Sequence, residues 1–78
     1  MTREQATDVV AEMVANVMSV EVAVGDAVAT GDTLLMLESM KMEIPVLAEK
    51  DGTVTNVRVT SGDVVQEGDI LVTLLDAP

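Results

Sequence analysis

Val17-Met18-Ser19-Val20-Glu21-Val22-Ala23-Val24-Gly25-Asp26-Ala27-Val28-Ala29-Thr30-Gly31-Asp32-Thr33-Leu34-Leu35-Met36-Leu37 has a counterpart thirty-seven positions further on, from Val54 to Leu74. Over the window Asn16 to Glu38, ten of twenty-three residues recur unchanged and without a gap. They are Val17, Val20, Val22, Gly25, Asp26, Val28, Gly31, Asp32, Leu34 and Leu37, matched by Val54, Val57, Val59, Gly62, Asp63, Val65, Gly68, Asp69, Leu71 and Leu74. Repeat architectures generally stack three or more units because one unit cannot bury its apolar face alone. Only two fit in 78 residues, so the copies are expected to bury their faces against each other.

Within each copy the period is that of strands. Val20, Val22 and Val24 alternate with Ser19, Glu21 and Ala23, as in a half-buried strand. A helix over Val9 to Val20 is rejected because the matching Val54-Thr55-Asn56-Val57-Arg58-Val59 alternates with β-branched residues of weak helix propensity. Next comes Gly-Asp-x-Val-x-x-Gly-Asp, at Gly25 to Asp32 and at Gly62 to Asp69. Such glycines supply turn conformations, and the aspartates are read as caps of nearby amides rather than as an EF-hand-like calcium set. Val28 and Val65, between the turns, are expected to plug the core. The apolar runs Leu34 to Leu37 and Ile70 to Leu75 belong in a sandwich interior.

Composition agrees. The chain has no cysteine, histidine or aromatic residue, so there is no disulfide, no thiolate zinc site and no imidazole acid–base group. A core of fifteen valines with leucine, isoleucine and methionine favours an all-β domain. The formal net charge of −10 argues against nucleic acid and anionic membrane surfaces as partners. The start, Met1 to Asp8, lacks a basic and apolar secretory pattern, and no apolar run approaches spanning length; a cytoplasmic protein is expected. Residues 1–8 are polar and aperiodic and are read as a mobile tail, with a short helix as the alternative. The folded domain is placed at 9–76, and 77–78 are its C-terminal end.

From Thr33 to Ala48 the sequence reads as one extended segment, far longer than a usual strand. The second copy stops where the first passes Ser39, so a tight hairpin centred on Met40-Lys41-Met42 is expected to link the copies. No glycine, asparagine or proline marks it, although two-residue hairpins favour positive φ. Strained turns of this kind gather at functional positions. Alternation would place Met40 and Met42 on one face and Lys41 on the other. An exposed amine between two adaptable thioethers suits a surface that another protein reads. Lysine is acylated only as the free amine, a minor form at neutral pH, and the chain offers no histidine or thiol to assist. It is expected to be a substrate of a modifying enzyme and to have no catalytic role of its own.

Glu38-Ser39-Met40-Lys41-Met42, with the Val-x-x-Gly-Asp pattern on both sides, resembles the biotinyl domain of biotin carboxyl carrier proteins over roughly residues 9 to 76. Related lipoyl domains usually have Asp-Lys-Ala or similar around their lysine, so the Met-Lys-Met centre is the specific part. The resemblance implies a flattened β-barrel of two four-stranded antiparallel sheets with quasi-twofold symmetry. It also implies attachment of biotin to Lys41 by a biotin protein ligase. Met40 and Met42 would position and present the lysine, with Glu38 and Ser39 completing the attachment segment. The arm would carry a carboxyl group from a biotin carboxylase to a carboxyltransferase.

Two departures stand out. Ser39 replaces the usual alanine of Glu-Ala-Met-Lys-Met, and Met13-Val14-Ala15-Asn16 stands where the family tends to have Met-Pro-Gly before its strand. Gly52 keeps the glycine in the second copy, so the turn near Ala15 is expected to differ in geometry. The ungapped repeat argues against the protruding thumb insertion of some relatives. A small, free-standing, monomeric carrier is expected; a lipoyl carrier, or an unmodified adaptor of the same fold, is the alternative.

Overall fold

The computed structural model describes residues 5–77. Its strands are β1 (Ala6–Val10), β2 (Ala15–Val20), β3 (Ala27–Val28), β4 (Thr33–Ser39), β5 (Met42–Leu47), β6 (Gly52–Val57), β7 (Val64–Val65) and β8 (Ile70–Asp76). They form two four-stranded sheets, β1-β8-β6-β3 and β5-β4-β2-β7, antiparallel throughout. A shift of thirty-seven residues carries one sheet onto the other. Each copy supplies two central strands to one sheet and two edge strands to the other, so neither copy can complete a sheet alone.

The tail expectation is corrected at Ala6, Thr7 and Asp8. These residues are strand, paired with Leu75, Leu74 and Thr73 of β8. Residues 1–4 of that expected tail, and Pro78, lie outside the described residues. The physical reason is quasi-symmetry: β1 fills against β8 the place that β5 fills against β4. Val9, Ala11 and Glu12 are identical to Val46, Ala48 and Glu49, again thirty-seven positions apart. The repeat therefore reaches further back than Asn16. Polar side chains help hold β1. The Thr73 hydroxyl, in a residue only 8% exposed, donates to Asp8 Oδ1 at 2.9 Å, and the Thr7 hydroxyl donates to Asp76 Oδ1 at 3.0 Å.

The Gly-Asp turns clasp the copies together. Gly25 and Gly62 share a φ of 98°, and Gly31 and Gly68 have φ of 94° and 92°, the left-handed region that glycine reaches without a Cβ penalty. Each following aspartate accepts from the amide three residues before it, at 2.8 to 2.9 Å: Asp26 from Ala23, Asp32 from Ala29, Asp63 from Thr60 and Asp69 from Gln66. Their backbones bond across the repeat. Gly25 N–H and Asp26 C=O grip Val54, while Gly62 and Asp63 grip Val17. Likewise Gly31 and Asp32 grip Ala48, and Gly68 and Asp69 grip Ala11.

Side chains from the inner faces fill the centre. Leu34, Leu35, Leu71, Leu74, Val54, Val65 and Val72 are the largest fully buried ones, and Val28 is buried with them, as expected for the residues between the turns. The valine alternation overshoots the ladder: β2 ends at Val20 and β6 at Val57. Val22 and Val59 still pack against the core, so the period persists where regular pairing has stopped.

Candidate functional site

The β4–β5 hairpin carries the chain from the first copy into the second. Ser39 pairs with Met42, Glu38 with Glu43 and Leu37 with Ile44, leaving Met40 and Lys41 as a two-residue turn. Met40 has φ 52° and Lys41 φ 66°. Positive φ at both central positions is the signature of the type I′ turn, whose twist matches the flanking strands. The turn is thus one residue tighter than expected, with Met42 already the first residue of β5. Alternation of Met40 and Met42 about Lys41 fails for the same reason, because it presumes extended backbone. The left-handed region costs each non-glycine residue about 1–2 kcal/mol, so the expected strain is present and falls on Met40 and Lys41.

All three tip residues are exposed, with Met40 at 90% and Met42 at 60%. Lys41 makes no ion pair or side-chain hydrogen bond among the described residues. Lys50, the other described lysine, is occupied: its Nζ reaches Asp76 Oδ2 at 3.2 Å and Thr7 Oγ1 at 3.3 Å. It sits at the opposite end of the sandwich, where β1 begins and β8 ends. There the Thr30 backbone N–H, and then its hydroxyl, hold the exposed Asp51 carboxyl below its ordinary pKa.

The remaining predicted site residues flank the turn differently. Glu38 and Glu43 are exposed cross-strand partners, so two like charges stand side by side next to Lys41. Ser39 is half-buried and its hydroxyl donates to the carbonyl of Val14 at 3.2 Å. That bond brings the β1–β2 loop, which the sequence reading left out of the site, against the hairpin. Val14 is 60% exposed and Met13 38%.

The loops before Ala15 and Gly52 bend alike, and the difference falls in the strand pairing that follows. A Cβ on Gly52 would lie 2.5 Å from the Leu75 carbonyl oxygen, and Gly52 pairs with Asp76 at the end of the β6–β8 ladder. Ala15 carries that methyl, and the β2–β4 ladder stops one pair earlier, at Asn16 and Glu38.

The duplicated sandwich thus holds an exposed lysine on a strained two-residue turn where its copies join. The profile of the biotin and lipoyl attachment family, described as "Biotin-requiring enzyme", matches residues 5–74. The chain belongs to this family, as a biotinyl domain. It is 64% identical over 42 residues to the biotinylated protein TB7.3 homolog of Mycolicibacterium smegmatis, and 62% to that of Mycobacterium leprae, matches covering 54% of this chain and 59% of each relative. The chain thus spans less than two thirds of the curated relatives it matches. Among solved structures, a single-chain, multi-domain long-chain acyl-CoA carboxylase aligns with a TM-score of 0.88 and 29% identity, over 92% of this chain and 7% of that one. The urea carboxylase of Kluyveromyces lactis aligns with a TM-score of 0.84 and 31% identity, over 95% and 6%. The lipoyl domain of the 2-oxoglutarate dehydrogenase complex of Azotobacter vinelandii aligns with a TM-score of 0.69 and 28% identity, over 82% and 80%.

Proposed function

We propose that this chain is a covalent biotin carrier, biotinylated on Lys41 by a biotin protein ligase, that moves a carboxyl group between a biotin carboxylase and a carboxyltransferase. It has no catalytic role of its own, and it acts in the cytoplasm as a monomer unless bound to those enzymes. The observation that carries the reading is the exposed Lys41, without a side-chain partner among the described residues, on a turn whose strain is retained by two non-glycine residues. An amide link needs such an amine with room around it, and Lys41 meets that need while Lys50 is held by Asp76.

Attachment requires the Lys41 ammonium to lose one proton to become the free amine, which then forms a C–N bond to the biotin carboxyl carbon and loses a second proton as the activating group, delivered on the ligase, leaves with the electron pair of its bond to that carbon. Both protons pass to the ligase or to water, since the chain has no histidine or thiol. Acylation removes the one positive charge at the tip and leaves Glu38 and Glu43. Biotin, when attached, supplies the chemistry of carboxyl carriage. The protein contributes tethering, which replaces free diffusion with a high effective concentration at both partner sites, and a rigid sandwich that presents the arm clear of its own surface. Met40 and Met42 offer partners an apolar rim.

Production beside an active biotin protein ligase, followed by a streptavidin blot, tests the reading. Strong labelling is expected. Well-expressed protein that stays unlabelled, or takes up lipoyl groups instead, contradicts it.

A further inference from the structure

We infer that the β1–β2 loop, through Met13 and Val14, is part of the surface recognised by the enzyme that acylates Lys41, and that Ser39 is the residue positioning it there. This rests on the biotin-carrier reading and adds residues to its recognition site.

The internal repeat supplies the comparison. Met13 and Val14 correspond to Lys50 and Asp51, so the same loop is built twice, once apolar and once charged. The fold itself therefore has no need of apolar side chains at these positions. At the far end Lys50 bonds to Asp76, and the Asp51 carbonyl accepts from Ala77 N–H at 3.1 Å. Near the lysine, Ala15 shortens the ladder, and the Ser39 hydroxyl takes over as the tie to the loop at Val14. The outcome is a set of exposed apolar groups on the hairpin and the loop tied to it, from Met13, Val14, Met40 and Met42, where the described counterparts of Met13 and Val14 are the exposed Lys50 and Asp51. An enzyme facing a two-fold-like molecule can tell its ends apart by that difference.

The occupant is a protein surface with an apolar hollow and a basic rim. Glu12, Glu38 and Glu43 are exposed around these groups, and a net charge of −10 steers a basic partner toward them. The same charge opposes a second copy of this chain on this face. Any enzyme that brings an activated acyl group to Lys41 Nζ has to cover the adjoining apolar side chains, and apolar contacts excluded from water at an interface centre hold most of its binding energy.

The test is the initial rate of biotin incorporation by a purified bacterial biotin protein ligase with biotin and ATP, at varied carrier concentration. The double variant Met13→Ser, Val14→Ser should raise KM about tenfold with kcat unchanged, the size of a modest interface hot spot. Ser39→Ala should raise KM about threefold by releasing the loop, and Ser39→Thr, which keeps the hydroxyl, should restore it. Urea midpoints of all three should match wild type. Wild type that takes up biotin beside a double variant of unchanged KM overturns the inference and leaves the carrier reading standing. A double variant that changes the oligomeric state in place of KM overturns it as well, and wild type that takes up no biotin overturns both.

Discussion

Ser39 and Met42 face each other directly across the β4–β5 ladder, so the chain reverses through Met40 and Lys41 alone. Neither residue suits the positive φ it adopts. Met40→Asn, which tolerates the left-handed region, should therefore stabilise the domain by roughly 1 kcal/mol, seen as a higher urea midpoint. It should also slow biotinylation, because the thioether beside Lys41 is lost. A midpoint that falls would mean that Met40 packs usefully where it stands.

Gly52 and Ala15 occupy corresponding places and tolerate opposite changes. Gly52→Ala puts a methyl 2.5 Å from the Leu75 carbonyl oxygen, a backbone atom that cannot swing aside, and should cost about 1–3 kcal/mol. Ala15→Gly should cost less than about 1 kcal/mol, since the ladder there has already opened. Equal losses in thermal melts of the two variants would contradict this asymmetry.

Leu34 and Leu71 are both fully buried and related by the repeat. Truncation of either to alanine should cost about 2–5 kcal/mol, and the two costs should agree to within about 1 kcal/mol because the surrounding residues correspond. Chemical denaturation of both variants checks this. A large disparity would show that the core is less symmetric in energy than in geometry.

Hydrogen bonds from Thr30 depress the Asp51 pKa below its ordinary value of 3.8. A lowered folded-state pKa stabilises the protein above the unfolded value, and that contribution disappears as pH falls through the folded one. Asp51→Asn should therefore be less stable than wild type near neutrality, with the difference closing in acid below pH 3.8. Melting temperatures across that range test it, and a gap that widens in acid would reverse the sign argued here.

Much of this architecture is legible in the chain because Val17 to Leu37 and Val54 to Leu74 align without a gap. The glycine turns, the buried Val28 and Val65, and the hairpin at Lys41 all follow from that register. β1 is harder to see. Ala6, Thr7 and Asp8 carry no apolar alternation, because an edge strand tied by its backbone to β8, with help from Thr73 and Asp76, need not announce itself in hydropathy. The signal lies in Val9, Ala11 and Glu12, which match Val46, Ala48 and Glu49. The Ser39 bond to Val14 joins residues that no periodicity relates, so the loop's place in the site emerges only in three dimensions.

Peptide mapping by mass spectrometry, after biotin protein ligase has acted on wild type and on Lys41→Ala, probes the attachment site most directly. Wild type should carry one biotinyl group, on Lys41, with Lys50 unmodified, and Lys41→Ala should carry none while keeping its melting temperature. Biotin found on Lys50, or on folded Lys41→Ala, would contradict the placement of the arm at this hairpin.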